Sequence, residues 1–588
     1  MQMYLRNPAL RKAALSVALL SALPLAAQAQ QNDPLYRYQW HLMNYGQSVL
    51  GDSKPAFGVD LGIDDLHTYN IRGKNVVVGV VDEGLQIAHP DLAANVVPDG
   101  SRNFNTGGPI HDPSPTQAGE GHGTAVGGII AAVGWNGIGV RGVAPSAKLK
   151  GFNFLSPRAG GNQNDNIVYS WWNGAESKDV AVSNNSWGAA PLNPIAFSEN
   201  EVAAFENPMA ATRGGLGTVY VKAAGNHYNS HPVFFGLFNA CTAETRAANV
   251  GCTQAGFDPR NNLFNVMTIA AVNAAGKRSN YSSPGTALWV SGLGGEYGHQ
   301  KPYSTAVNPL NFDPAIVTTD VSGCTNGYNN DAADARLNAL DSSQSAIDNS
   351  CNYTGRMNGT SAATPTVAGV AALMLQANPK LSYRDVRYLL ATTARKIDPQ
   401  QPAISHANGT LIAPGWTTNA AGRAYSTWYG YGLVDATLAV ERSMAFKPLP
   451  ALIDSGWQRA QVAAPVAIGN PAAPARLQVR IDRRIGKVEG VQLGLETNYA
   501  LTAGFFSTAP SPLTVILTSP SGTKSYVVPA MTGLGATTAF TIPFIASNAF
   551  LDENGEGTWT LEVADVPLAA GAASKGNLTG FKIRVLGH

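Results

Sequence analysis

Three short stretches hold, in chain order, a carboxylate, an imidazole and a hydroxyl: Asp82 in VVDEGLQIAHPDL, His122 in GEGHGTAVGG and Ser361 in NGTSAATP. A serine hydroxyl attacks a carbonyl poorly until a base removes its proton. The base in turn needs a carboxylate to fix its tautomer and stabilise the imidazolium. Taken singly, each residue has an ordinary explanation: an Asp closing a strand, a structural His, a Ser capping a helix. Taken together they are the parts of acyl-transfer chemistry through a serine nucleophile. Asn226, in AAGN, is on its own a turn residue after Gly225.

These residues need elements to bring them together. The run NVVVGVVD (75–82) is apolar and β-branched and reads as a buried parallel strand with Asp82 at its C-terminal end. After His122, the stripe Val126, Ile129, Ile130 and Val133 predicts a helix. VYVKA (219–223) predicts a second strand shortly before Asn226. After Ser361, Val367, Val370, Ala371 and Met374 mark another helix, which Pro365 would enter only in its first turn. Ser382 and Asp385 form a capping box ahead of LSYRDVRYLLATTARK. Strands alternating with helices predict a doubly wound α/β sheet, which gathers ligands at the C-terminal ends of its strands. A helix N-terminus at Ser361 adds a favourable dipole and free N–H groups.

The chain of 588 residues carries 40 Lys and Arg against 39 Asp and Glu, a balance that gives no reason to expect nucleic acid or an anionic membrane as partner. Arg6, Arg11 and Lys12 precede the apolar run ALSVALLSALPLAAQA, and Ala27 and Ala29 fit an export cleavage site, so residues 1–29 read as a signal peptide. No later segment has the uninterrupted apolar length of a membrane span, so secretion, or a periplasmic stage, is expected. Export permits disulfides among Cys241, Cys252, Cys324 and Cys351. Three pairings are possible, of which Cys241–Cys252 and Cys324–Cys351 close the shortest loops. The texture changes near residue 445. PLPALIDSGWQRAQVAAPVAIGNPAAPA reads as a linker or sheet edge. Beyond it the alternation of Leu513, Val515 and Leu517, of Trp559, Leu561 and Val563, and of Phe581, Ile583 and Val585 predicts an all-β sandwich. The expected division is 30–445 and 446–588.

The three motifs, in this order, resemble the subtilisin superfamily of serine proteases over roughly residues 33–440. The resemblance implies that Asp82 orients His122, that His122 is general base and then acid, that Ser361 is the nucleophile and that Asn226 donates to the oxyanion. It also implies that Ser186, Trp187 and Gly188, in SNNSWG, pair with the substrate backbone as an added strand. DPLYRYQWHLMN, the sandwich stretches LTSPSGTKS, GTWTLEVAD and GNLTGFKIRVLG, and their order along the chain resemble the kexin and furin branch with its P domain, of jelly-roll-like type, in place of a carbohydrate-binding or adhesion module. By that resemblance Asp258 lies in the pocket for the residue before the cut bond, Glu296 is another acid lining that region, Glu83 is a second carboxylate near the substrate with Glu120 beside His122, and cleavage after Lys or Arg is expected. The sequence departs from the branch after SWG, where AAPLNP replaces a pair of Asp residues. Strict dibasic selection, and a calcium ion at that place, are therefore not expected.

A calcium ion is expected elsewhere. The resemblance assigns Asp91 and Asp33 as carboxylate ligands, Asn136 as a side-chain oxygen, and Gly134, Ile138 and Val140 as carbonyl donors, an all-oxygen set that suits a hard cation. Every expected catalytic position is filled, which argues against a non-catalytic relative that only binds peptides or cell surfaces, and the expected substrate strand favours proteins and peptides over simple esters. Relatives of this type usually carry a folded prosegment after the signal. Here three residues separate Ala29 from Asp33, so a separate chaperone or inhibitor protein is expected to assist the catalytic domain.

Overall fold

The computed structural model describes residues 33–233, 237–330, 336–504 and 506–588; the expected signal peptide lies outside the described residues. Six parallel strands form the central sheet: β1 (Val77–Val81), β2 (Lys148–Phe152), β3 (Val182–Asn185), β4 (Val219–Ala223), β5 (Val266–Val272) and β6 (Leu288–Leu293), in the order β2-β1-β3-β4-β5-β6. Their side chains are buried almost throughout, as the apolar runs require of a sheet covered on both faces. α1 (His122–Ala131) and α3 (Thr360–Ala377) pack against each other, and α3 also lies against β3 to β6; α2 (Glu199–Ala211) belongs to a second apolar cluster. α4 (Tyr383–Thr393) opens on the predicted capping box, Ser382 Oγ accepting from Asp385 N–H while the Asp385 carboxylate accepts from Ser382 N–H. α5 (Ala436–Met444) is the last helix among the described residues.

Pro365 departs from expectation. It is the sixth residue of α3, not part of its first turn. Proline there leaves the carbonyl four residues earlier without an N–H partner, and that carbonyl belongs to Ser361. It accepts the Ser186 hydroxyl instead, at 2.9 Å. The helix therefore runs through the proline at no loss of a hydrogen bond, and the orphaned carbonyl ties the start of α3 to the end of β3.

Two antiparallel sheets follow. One contains β8 (Val488–Thr497), β11 (Thr541–Ser547) and β13 (Asn577–Gly587). The other runs β7 (Ala475–Ile481), β12 (Gly557–Asp565), β9 (Leu513–Thr518) and β10 (Lys524–Val528). Alternate residues of β7, β9 and β12 point into one core that includes Val479, Val515, Trp559 and Leu561. The Pro- and Ala-rich stretch before β7 supplies short edge pairings to β13 at Ile453–Asp454, Gln458–Arg459 and Val466–Ala467. Phe257, from the α/β part, is buried in the sandwich core, and Phe544, from the sandwich, is buried in the cluster of Trp171 and Tyr220.

Cys241–Cys252 and Cys324–Cys351 are both disulfide-bonded. No helix among the described residues is long and apolar enough to cross a membrane.

Candidate active site

The site is assembled at the C-terminal ends of three adjacent strands. Asp82 follows β1, Ser186 follows β3, and Asn226 follows β4 by way of Gly225. Asp82 is buried, and its Oδ1 lies 2.8 Å from His122 Nδ1. The same oxygen accepts the Glu83 N–H at 2.8 Å. His122 opens α1, and its N–H donates to Glu83 Oε1 at 2.7 Å, which places a carboxylate at the helix N-terminus where the dipole favours it. Burial alone would lower the His122 pKa. The charge and hydrogen bond of Asp82, with the charge of Glu83, outweigh it and hold His122 at about 9. Burial, then the neighbouring Asp82 charge, pushes Glu83 up to about 7.

Ser361 is the second residue of α3. Its hydroxyl donates to Ser186 O at 3.0 Å, while its carbonyl accepts from Ser186 Oγ, so the nucleophile candidate is held against the end of β3 from both sides. Asn226 is fixed at its oxygen: Oδ1 accepts from Thr360 N–H and from the Thr360 hydroxyl, each at 2.9 Å. That leaves its NH2 group facing Gly359. Gly359 has φ +94°, and a side chain there would meet Asn226 Nδ2 at 3.0 Å and Ser361 N at 3.4 Å. The glycine thus supplies both a left-handed turn and the open space into which two N–H donors converge.

Beyond β3, Ser186, Trp187 and Gly188 continue along the site. Trp187 turns its ring inward against Phe154 and Trp171, and Gly188 and Ala189 are exposed. The edge left facing solvent is backbone.

Two of the expected specificity carboxylates are already committed to partners inside the fold. Asp258 is buried and ion-paired with Lys222, Oδ2 to Nζ 2.7 Å. Asp258 Oδ2 also accepts from Ala189 N–H, and Oδ1 from Arg260 N–H as the cap of a short helix. Burial opposes the Asp258 charge, but the Lys222 ammonium more than offsets it and keeps the carboxylate below its usual range. Glu296 is fully buried. Its Oε1 accepts from Asn273 Nδ2 and Asn280 N–H at 3.0 Å each, and burial pushes it up to about 7. It braces the loop carrying Tyr281, whose hydroxyl accepts from Gly359 N–H. Glu120 closes its own loop by accepting from Thr116, Gln117 and Ser156. Of the predicted acids only Glu83 keeps a partly exposed position beside His122. Lys222 is the residue sequence reasoning missed, although a lysine inside the apolar strand VYVKA was a visible signal of a buried charge.

The predicted calcium ligands converge in part. Asp33 and Asp91 are both buried, and Asn136 joins them: its N–H donates to Asp33 Oδ1 at 3.2 Å, and its side-chain amide lies 2.7 Å from Asp91 Oδ1. Val140 enters through its N–H, which donates to Asp91 Oδ2 at 2.9 Å. No contact places the Gly134 and Ile138 carbonyls at these carboxylates among the described residues. Arg141, not foreseen, pairs with Asp33 at 2.7 Å. Burial, with Asp33 nearby, pushes Asp91 up to about 7. Asp33 thus has a counter-charge, whereas Asp91 meets neutral N–H donors, from the Asn136 side chain and Val140, and is short of positive charge. A hard cation fits that deficit. No group of three or more His, Cys, Asp or Glu is arranged to hold a metal ion among the described residues, so such an ion would rely on two carboxylates and neutral oxygens.

Residues 73–432 match the Subtilase family, and residues 501–585 match the Proprotein convertase P-domain. The chain belongs to the subtilase family. It is 35% identical to an Aeromonas extracellular serine protease of Aeromonas sobria, over 95% of this chain and 91% of that one. It is 27% identical to human proprotein convertase subtilisin/kexin type 4, over 90% of this chain and 58% of that relative. The structure of the Aeromonas sobria serine protease in complex with the chaperone ORF2 superposes with a TM-score of 0.82 at 33% identity, covering 95% of each chain. This subtilase is a serine endopeptidase with a β-rich P domain after its α/β domain.

Proposed function

We propose that this subtilase is an exported endopeptidase in which Ser361 is the nucleophile, His122 the base, Asp82 its orienting carboxylate and Asn226 an oxyanion donor. The observation that carries the reading is the 2.8 Å contact between Asp82 and His122 Nδ1, beside a serine at a helix N-terminus flanked by an anchored amide. With Nδ1 held by Asp82, Nε2 is the free nitrogen. On substrate binding the Ser361 hydroxyl turns from Ser186 O to His122 Nε2, gives up its proton and attacks the scissile carbonyl. The developing oxyanion is met by Asn226 Nδ2 and the Ser361 N–H. His122 then passes the proton to the leaving amine, and water repeats the sequence on the acyl-enzyme. The exposed edge at Gly188 and Ala189 offers backbone groups to an extended peptide. When bound near Asp91 and Asn136, calcium supplies charge that fixes the loop; Asp33, through Arg141, holds the other side.

A preference for basic residues is modest, because Asp258 and Glu296 are committed internally and only Glu83, near the substrate beside His122, keeps a partly exposed carboxylate. We further propose that a separate chaperone assists folding, a reading supported by the solved complex of the Aeromonas sobria serine protease with the chaperone ORF2. Residues 30–445 and 446–588 are the proposed working units. The experiment is covalent labelling by a fluorophosphonate, followed by peptide mapping. Label on Ser361 and none on a Ser361→Ala chain is expected. Undiminished labelling and peptidase activity in Ser361→Ala would overturn the assignment. Equal cleavage after Leu and Lys would overturn the basic preference alone.

A further inference from the structure

Beneath the substrate edge the chain carries a cation of its own. β3 leaves the sheet at Ser186 and continues through Gly188, while neighbouring β4 ends at Ala223 on the way to Asn226. The gap between these strand ends is where a side chain preceding the cut bond would descend, since Ser186 O touches Ser361 Oγ and Asn226 stands on the other side. Gly188 is exposed and leaves the gap open. An atom placed where its side chain would be lies 3.0 Å from Lys222 Nζ and 3.1 Å from Asp258 Oδ2. The Lys222–Asp258 pair thus lies directly beneath Gly188, at the base of this gap. Lys222 is fully buried; its ammonium also reaches Asn261 Oδ1 at 3.0 Å and lies 4.9 Å from the Trp187 ring centre. Buried ion pairs are often replaceable by apolar residues without loss of stability, so stability alone does not call for this one.

We propose that Lys222 is a specificity-determining residue: by neutralising Asp258 from inside the fold it makes the base of this gap electrically balanced, so that apolar as well as basic side chains are accepted before the cut. A lone buried carboxylate at this depth would select strongly for a cation. Here the place of that cation is taken by the enzyme's own ammonium. Lys222 touches neither the reacting atoms nor His122, and acts on substrate choice through Asp258. The inference rests on the endopeptidase reading and on the peptide lying along Gly188.

The experiment uses the full chain and one peptide series differing only at the residue before the cut: Lys, Arg, Leu and Glu. For the natural sequence the Lys-to-Leu ratio of kcat/KM is expected to be less than about tenfold. Lys222→Ala uncovers Asp258 and should raise that ratio by at least about tenfold. Asp258→Asn leaves the ammonium alone and should move the ratio the other way, with a gain for Glu. Lys222→Ala combined with Asp258→Asn should return the ratio towards its starting value. Opposite movements of the two single variants are the readout that a merely structural pair would not give; a uniform loss across all four peptides in folded variants overturns the proposal. Where the single variants fail to fold, a natural Lys-to-Leu ratio above about a thousandfold overturns it, and a ratio under about tenfold supports it. Failure of the natural chain to cut any peptide while Ser361 is labelled would instead overturn the endopeptidase reading.

Discussion

Asn226 is anchored at its oxygen by Thr360, and its nitrogen donates to no partner among the described residues, the orientation needed to meet charge that exists only in the transition state. Such a donor strengthens as the oxyanion forms and contributes little to binding the ground state. Asn226→Ala is therefore expected to lower kcat by roughly a hundredfold to a thousandfold with little change in KM, which steady-state kinetics on one peptide will show. Glu83 makes a second, separable contribution. His122 acts as a base only when neutral, and Asp82 and Glu83 hold its pKa at about 9. The rate at low substrate should thus climb with pH through the neutral range and reach half its plateau near pH 9. Glu83→Gln keeps an oxygen for the His122 N–H but removes one negative charge, so the acid limb of kcat/KM should move to lower pH; an unmoved limb would show that Glu83 does not act on His122. The same shift is a stability statement. A histidine raised above its unfolded value near 6.5 stabilises the fold fully below that value and loses the contribution as pH rises through about 9, so the base becomes active as its stabilising charge is lost.

At the scale of elements, the parallel strands and the helices behind His122 and Ser361 were legible because apolar periodicity is local and strong. The region 75–82 yielded β1, and 219–223 matches β4 residue for residue. Pro365 was misread because propensity speaks only of the helix it interrupts, whereas the compensating hydroxyl, Ser186, comes from a segment 175 residues away. The pairing of Asp258 with Lys222 was hidden for the same reason: motif spacing shows that an acid is present, not whether the fold has already given it a counter-charge. The calcium loop shows both sides. Asp33, Asp91 and Asn136 meet as their motifs suggested, while Arg141 enters from a position where an apolar residue would pass unnoticed. Because Arg141 already balances Asp33, the loop should lose part of its stability without calcium but not all of it. Chelation is expected to lower the Tm by several degrees, about 1–2 kcal/mol for a domain of this size, and added calcium should restore it. An unchanged Tm on chelation would mean that Arg141 and the loop N–H groups suffice.

For the molecule as a whole, the question is whether the sandwich is an appendage or part of the enzyme's stability. Arg584 of β13 reaches Glu206 of α2 at 2.7 Å, and Glu206 in turn caps the Phe264 N–H and accepts from Gln492 of β8. Arg387 of α4, buried on the Trp289 ring at 3.6 Å, donates from Nη1 to Glu489 O and from Nη2 to Asn548 Oδ1. Apolar groups cross as well, Phe257 into one core and Phe544 into the other. Ending the chain near residue 450 would expose Phe257 and Phe264 and leave the surface around α2 and α4 without its counter-charges. Against a net stability of about 5–15 kcal/mol, the loss of two buried aromatics, each contributing about 1.5–3 kcal/mol, together with the ion-pair network, should leave no stable active enzyme, as activity and scanning calorimetry on the shortened chain will show. Arg584→Ala tests the mechanism without removing the domain. It leaves Glu206 buried without its guanidinium, a change that costs about 3–5 kcal/mol for a fully buried pair and less where Arg584 keeps some access to water. A clear fall in Tm with kcat/KM preserved at low temperature would locate the contribution of the P domain in stability rather than in chemistry, and a shortened chain with full activity and an unchanged Tm would show that the interface is dispensable.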